Sequence, residues 1–128
     1  ELSTAKLTYD SRGRHYNLDE VFERVNAAYF DGALSKPRLT WSKQFTHRKM
    51  GHYQPATDTL MLSLTLDNKR IPDYVVEFIM YHELLHKALG IEVVNGRHYA
   101  HTPEFRDAER SFPYYDDVQA FLAKFLSE

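Results

Sequence analysis

The sequence predicts a compact α+β fold in which a small, mainly antiparallel sheet packs on one central helix, with further helices before and after it. The 128 residues are 43% hydrophobic and 27% charged, as in an ordinary globular domain. Apolar residues recur at helical spacing near both ends and in the middle of the chain, and they alternate at strand spacing in between. No repeat or linker divides the chain. We therefore expect one domain over residues 1–128, with residues 1–16 as an N-terminal tail or an edge strand.

The first helix is predicted to follow Asn17. Asn17 and Glu20 have the spacing of a capping box, in which the first side chain caps the helix and the second reaches back. Apolar residues then recur at helical spacing from Leu18 to Tyr29. Gly32 is predicted to stop the helix, because glycine readily adopts the backbone conformation that ends one.

Three strands are predicted between this helix and the next. The first runs from Arg38 to about Phe45, and the second, Gly51–Gln54, is short. Alternation is clearest over Thr59–Leu66, where every second residue is a leucine. One face of this strand is therefore expected to be buried against helices.

The central helix is predicted to begin at an N-cap residue, Asp73, and to carry the sequence His82-Glu83-Leu84-Leu85-His86. Its flanks are apolar nearly all round, so we expect this helix to be buried. Downstream, Thr102 and Pro103 are a typical N-cap and first residue, and they predict a helix over residues 103–110. Asp116 and Gln119 predict the capping box of a last helix.

The H-E-x-x-H pattern in the central helix predicts a metal site. Residues four apart on a helix point from the same face, so His82 and His86 can reach one ion. Glu83 lies between them, where it can act as general base towards a metal-activated water without being a ligand itself. Zinc suits this chemistry, because it keeps one position open for water and lowers the pKa of that water to about 7. We therefore expect one Zn²⁺ per chain.

A third ligand must come from the chain after the motif. His101 is the favoured residue, since it directly precedes a predicted helix start and would be held by a defined backbone. The alternatives that the sequence leaves open are His98, Glu92, Glu104 and Glu109.

With these residues in place, the chain resembles the SprT-like zinc metallopeptidases, which include the Spartan proteases. The resemblance is carried by Asn26–Leu34, Leu39–Ser42, the motif at His82–His86, and His101 in a His-x-Pro-Glu-Phe context. It extends over most of the chain and implies a zincin-like fold and a metallopeptidase activity. The small size is also similar to that of the minigluzincins, in which a glutamate is the third ligand. That likeness keeps Glu104 and Glu109 as alternatives.

Composition limits the other classes of function. Without cysteine there are no disulfides, no cysteine zinc ribbon and no nucleophilic cysteine. A net charge of −2 gives no overall attraction to nucleic acid or to an anionic membrane, so nucleic acid as a partner is implied only by the resemblance. No apolar run could span a bilayer. We expect a monomer in the cytoplasm that acts on a protein or peptide substrate.

Two functions from different classes remain open. The first is a zinc-dependent endopeptidase that cuts extended or unfolded protein segments. The second is a zincin-fold binding module with a structural zinc, or one whose cleft is closed by its own C-terminal segment. For this module the family resemblance implies an association with DNA or chromatin. An intact H-E-x-x-H favours the first, because a structural site has no need of Glu83.

Two further sets of residues are candidates for the active site. His98, Tyr99 and Glu104 are candidates for stabilising the transition state or for supporting the ligands. In zincin folds an edge strand of the sheet pairs with an extended substrate, and Gly51, His52, Tyr53 and Gln54 are the candidate strand. Gly51 would allow another backbone to approach closely.

Overall fold

A computed structural model describes residues 11–46, 48–90 and 92–127. Over these residues the chain forms four helices and five strands, in the order α1 Leu18–Tyr29, β1 Arg38–Trp41, β2 Gly51–Gln54, β3 Thr59–Leu62, α2 Asp73–Leu89, β4 Glu92–Val94, β5 Arg97–Tyr99, α3 Pro103–Arg110 and α4 Tyr115–Leu126. This is the α+β fold that the sequence predicts.

Helix α1 begins and ends as the sequence predicts. The side chain of Asn17 accepts hydrogen bonds from the backbone N–H groups of Asp19 and Glu20. At the other end Gly32, with φ of +70°, donates its N–H to the carbonyl of Asn26 over 2.9 Å. Such a closing bond needs positive φ, which glycine adopts without a steric cost.

The main sheet is mixed, with strand order β1-β3-β2. Strands β1 and β3 run parallel, whereas β2 and β3 are antiparallel. Leu60 and Leu62 on β3 are fully buried, so this face of the sheet lies in the core. Strand β2 is an edge strand, and its outer edge borders the site described below.

Two strands are shorter than the sequence predicts. The first predicted strand, Arg38 to Phe45, ends at Trp41. The chain turns there because the hydroxyl of Ser42 donates to the carbonyl of Gln44 and accepts from the N–H of Leu64. The predicted strand Thr59–Leu66 ends at Leu62, and Leu64–Leu66 form a 3₁₀ turn. The alternating leucines fit a longer strand because the turn also buries Leu66 completely, as a strand would.

Helix α2 is the buried centre of the molecule, as predicted. Nine of its 17 residues are buried, and it contacts α1, β2, β3, α3 and α4. Its predicted N-cap is wrong: Pro72 occupies that position, and Asp73 is the first helical residue, where its carboxylate accepts a hydrogen bond from Tyr16. Among the described residues, no helix has the length and apolar character needed to cross a membrane.

The last two helices begin differently from each other. Helix α3 begins as predicted, with the Thr102 hydroxyl accepting a hydrogen bond from the Phe105 N–H at 3.2 Å. Helix α4 begins at Tyr115 after Tyr114, without a side-chain cap, so the capping box predicted at Asp116 is wrong. The hydroxyl of Tyr81 on α2 donates to the carbonyl of Ala108 over 2.8 Å and ties α3 to the central helix.

The segment before α1 is a turn held against the rest of the molecule. The carboxylate of Asp67 accepts three backbone N–H bonds, from Arg14, His15 and Tyr16, at 2.7, 2.8 and 2.9 Å. The predicted tail or edge strand therefore begins outside the described residues, and its part from residue 11 onwards forms this turn. Only an isolated bridge, Arg12 to Asn17, is strand-like here.

Candidate metal centre and active site

Three imidazoles lie together at the surface of the central helix. One ring nitrogen each of His82, His86 and His101 lies within 4.8 Å of the others, and the Nε2 atoms of His86 and His101 are 3.3 Å apart. Tetrahedral zinc with Zn–N bonds of about 2.0–2.1 Å requires nitrogen atoms about 3.4 Å apart. The His86–His101 pair already has this spacing, and the three nitrogens are close enough together to share one metal ion.

The third histidine is held at a defined place by its own backbone. His101 directly precedes the capped start of α3, and the Arg106 side chain on α3 donates to the His101 carbonyl at 3.3 Å. Beneath the cluster, the buried ring of Phe105 lies 4.5 Å from the His86 ring, nearly parallel to it. Phe105 also lies within about 5 Å of the other two imidazoles, so it supports all three.

Glu109 orients His82. Its Oε2 lies 2.5 Å from Nδ1 of His82, which leaves Nε2 of the same ring to face the other histidines. A carboxylate on the distant nitrogen of a ligand histidine fixes the tautomer and the ring orientation. Glu109 was an alternative third ligand in the sequence, and the structure instead places it behind a histidine of the cluster.

Lowered pKa values keep two imidazoles of the cluster unprotonated at neutral pH. Burial, followed by the neighbouring His82 and His101, lowers the pKa of His86 to about 4, and burial also lowers the pKa of His101. Metal ligands must be unprotonated, so both imidazoles are suited to binding at neutral pH. The hydrogen bond from His82 holds the pKa of Glu109 below its usual range.

Glu83 is buried beside the cluster rather than within it. The residue is 5% exposed, and its Oε2 lies 3.9 Å from Nε2 of His82. Burial raises the pKa of Glu83 to about 7, against the smaller opposing effects of His82 and Lys49. A pKa near the working pH is the property that a general base or acid needs.

Gly51 makes room for Glu83. A Cβ atom at Gly51 would lie 2.9 Å from Glu83 Oε2 and 2.9 Å from Ile79 Cγ2, closer than real side-chain contacts allow. The sequence suggested that Gly51 allows the approach of another backbone. In the structure the space above this glycine is filled by two side chains of α2.

An open cleft of about 660 Å³ runs over the site. Its floor includes the histidine cluster and Glu83. One wall is formed by residues 51–53 of the edge strand β2 together with Met50, the residue before that strand. Burial, followed by the charge of Lys49, lowers the pKa of His52 in this wall. Gln54, the last residue of the candidate strand, is exposed and does not line the cleft.

The other candidates lie apart from the cleft. His98 and Tyr99 are exposed on strand β5, and Glu104 is exposed at the start of α3; none of them lines the cleft. Glu92 begins strand β4, and its side chain lies outside the described part of the structure.

The sequence pointed to Glu109 only as an alternative ligand and to Phe105 only as part of a motif, and it did not predict their supporting roles behind His82 and under the imidazoles. Both are on α3, at i and i+4, the spacing that puts side chains on one face of a helix. That spacing, in the helix directly after His101, is the signal that could have found them together.

The fold and the three clustered histidines define a SprT-like domain with a candidate metal site. Residues 18–118 match the sequence model of the SprT-like family, and the chain belongs to this family. None of the curated proteins matches the chain.

A solved structure has the same fold. The chain is similar to the metallopeptidase zymogen jannalysin of Methanocaldococcus jannaschii, with a TM-score of 0.59 and 14% sequence identity. The match covers 91% of this chain and 93% of that one. At this identity the likeness concerns the fold.

Proposed function

We propose that the chain is a zinc-dependent endopeptidase that hydrolyses peptide bonds in extended or unfolded protein segments. The observation that carries this proposal is the buried Glu83 next to three clustered imidazoles in the floor of an open cleft. A histidine cluster built only to hold the fold together has no need of a buried carboxylate at its side or of a cleft above it.

His82, His86 and His101 would hold one zinc ion. When bound, zinc supplies Lewis acidity: it lowers the pKa of water and polarises a carbonyl oxygen. The chain contributes the geometry of the cluster, because Glu109 fixes the tautomer of His82 and Phe105 packs against all three rings.

Glu83 would carry the proton. Its carboxylate accepts a proton from the attacking water and later donates it to the leaving amine, so no net change remains on the side chain. The raised pKa favours both halves of this exchange, because the carboxylate is neither too weak as a base nor too weak as an acid near pH 7.

The edge strand would bind the substrate. The outer edge of β2 has no strand partner among the described residues, and Gly51, His52 and Tyr53 line the cleft. An extended peptide can add to such an edge through backbone hydrogen bonds, which gives affinity with little dependence on sequence. Substrates are therefore expected to be unfolded or locally extended proteins.

The test is cleavage of casein by the zinc-loaded protein, with Glu83→Gln run alongside. We expect the wild type to cut and Glu83→Gln to bind zinc and fold normally without cutting, since glutamine cannot accept the proton. Glu77→Gln is the matched control, because Glu77 lies on the same helix, does not line the cleft and forms an ion pair with Arg24. Cleavage by Glu83→Gln at the wild-type rate would contradict the mechanism.

One observation favours the alternative of a self-closed binding module. Gln119 and Leu122 of the last helix line the cleft and narrow it. If neither the wild type nor Glu83→Gln cuts casein while one zinc is bound per chain, Leu122→Ala should be assayed next. Point substitution is preferable to removing α4, because Val118 on that helix is fully buried in the core.

A further inference from the structure

Positively charged side chains line two neighbouring cavities beside the histidine cluster. The cleft adjoins a smaller cavity of about 240 Å³, and His82, His101 and Glu109 line both. Arg48 and Lys49, which precede β2, line the larger of the two.

The smaller cavity adds a second pair. Arg106 and Arg110, one turn apart on α3, line it. Arg106 uses one nitrogen to donate to the carbonyl of His101. Two separate segments thus bring positive side chains to cavities that share His82, His101 and Glu109.

These charges are not balanced locally. Within residues 11–46, 48–90 and 92–127, neither Arg48 and Lys49 nor the two arginines of α3 form an ion pair. Of the described residues, only two carboxylates line the cavities against these four cations: Glu109, which bonds His82, and the buried Glu83. The walls therefore carry an excess of positive charge.

This excess is local, because the whole chain has a net charge of −2. Positive charge concentrated in a cleft of a mildly acidic protein attracts negative ligands to that cleft, and it does so over a range of about 8–10 Å in physiological salt. Lys49 lines the cleft only two residues before Gly51, where the open edge strand β2 begins, so its charge lies beside the proposed path of the substrate.

We propose that the cleft selects peptide segments with acidic side chains next to the scissile bond, with Lys49 as the principal specificity-determining residue and Arg48, Arg106 and Arg110 in support. This inference rests on the proposed peptidase function and adds a substrate class to it. A protein segment is favoured over nucleic acid because the cations line the walls beside an open strand edge, which pairs with a peptide backbone.

The experiment uses three fluorescent peptides that differ only in the residues flanking the scissile bond, which are glutamate, glutamine or lysine. Wild type, Lys49→Glu and Lys43→Glu are compared by kcat/KM, and binding of the same peptides is measured by anisotropy on zinc-loaded proteins that also carry Glu83→Gln. Lys43 is the matched control, an exposed lysine between β1 and β2 that does not line the cleft.

For the wild type we expect the glutamate peptide to be preferred over the glutamine peptide by about two- to five-fold, the size of an exposed ion pair. The lysine peptide should be the poorest. Lys49→Glu should invert the order of the glutamate and lysine peptides, whereas Lys43→Glu should keep the wild-type order. Higher salt should reduce the preference, because it screens exposed charges.

Each outcome decides between the two proposals. Equal kcat/KM for all three peptides, or an unchanged order in Lys49→Glu, overturns the selectivity and leaves the peptidase intact. No cleavage but tighter binding of the glutamate peptide overturns the peptidase and supports the acidic ligand. An oligodeoxythymidylate that displaces the glutamate peptide, when a free acidic peptide of equal charge does not, shows that the site is built for phosphate and overturns the proposal.

Discussion

Replacing Gly51 with alanine should displace the carboxylate of Glu83, the proposed general base, without changing its chemistry. The added Cβ would lie 2.9 Å from Oε2 and 3.0 Å from Cγ of Glu83, and 2.9 Å from Cγ2 of Ile79. Because φ at Gly51 is not positive, alanine is acceptable to the backbone there, and the effect comes from crowding. Either Glu83 moves by a few tenths of an ångström or β2 moves away from α2.

The cost can be worked out from these contacts. Overpacking a tight site costs about 1–3 kcal/mol. Replacing glycine by alanine returns about 0.4–1 kcal/mol by restricting the unfolded chain. The free energy of unfolding should therefore fall by about 1–2 kcal/mol. A displacement of 1 Å in a catalytic group can cost about a hundred-fold in rate, so a shift of a few tenths should lower kcat by about five- to ten-fold.

The assay is steady-state cleavage of a peptide substrate together with urea unfolding. Gly13→Ala is the matched control, since a Cβ there would collide with the carboxylate of Asp67, in a turn away from the cleft. Both variants should be destabilised. Only Gly51→Ala should lose kcat per folded molecule, and its KM should change less than its kcat.

Two results would refute this reasoning. If folded Gly51→Ala keeps the wild-type kcat, then the position of Glu83 either does not change or does not matter. If Gly51→Ala raises KM and leaves kcat unchanged, the glycine serves the approach of the substrate backbone, as the sequence alone suggested.

Glu109→Gln should weaken zinc binding by about ten- to a hundred-fold, since the carboxylate that orients His82 is lost; competition with a chelator measures this, and Glu104→Gln, exposed on the same helix, should bind like the wild type. Equal affinities of the two variants would contradict the role of Glu109. Asp67→Ala should lower the free energy of unfolding by about 1–2 kcal/mol, because three backbone N–H groups lose their acceptor. In urea unfolding the exposed Asp107→Ala should stay within about 0.5 kcal/mol of the wild type, and an Asp67→Ala protein of equal stability would show that the turn contributes nothing.

The sequence by itself determined the features that depend on local geometry. His82 and His86 face the same way because 3.6 residues make one helical turn, whatever surrounds the helix. Asn17 caps α1, and Thr102 and Pro103 begin α3, because these residue types satisfy helix ends within a few positions of themselves. The burial of the central helix also followed from its own apolar flanks.

Other local features were ambiguous in the sequence, and the structure decided them. The leucines from residue 60 to 66 fit a strand, yet the chain turns after Leu62 because the hydroxyl of Ser63 bonds the carbonyl of Thr46 and accepts from the N–H of Thr65. Period-two alternation cannot distinguish a strand from a strand followed by a turn that buries Leu66 in the same core.

The contacts between distant residues were decided only by the tertiary structure. Five residues after the motif could have completed the cluster by type, and the packing of α3 on α2 brings His101 to it and Glu109 behind His82. Gly51 leaves room for Glu83, which comes 32 residues later in the chain, and this depends on how β2 packs on α2. Such contacts follow from the packing of whole elements, and no pattern within one element contains that information.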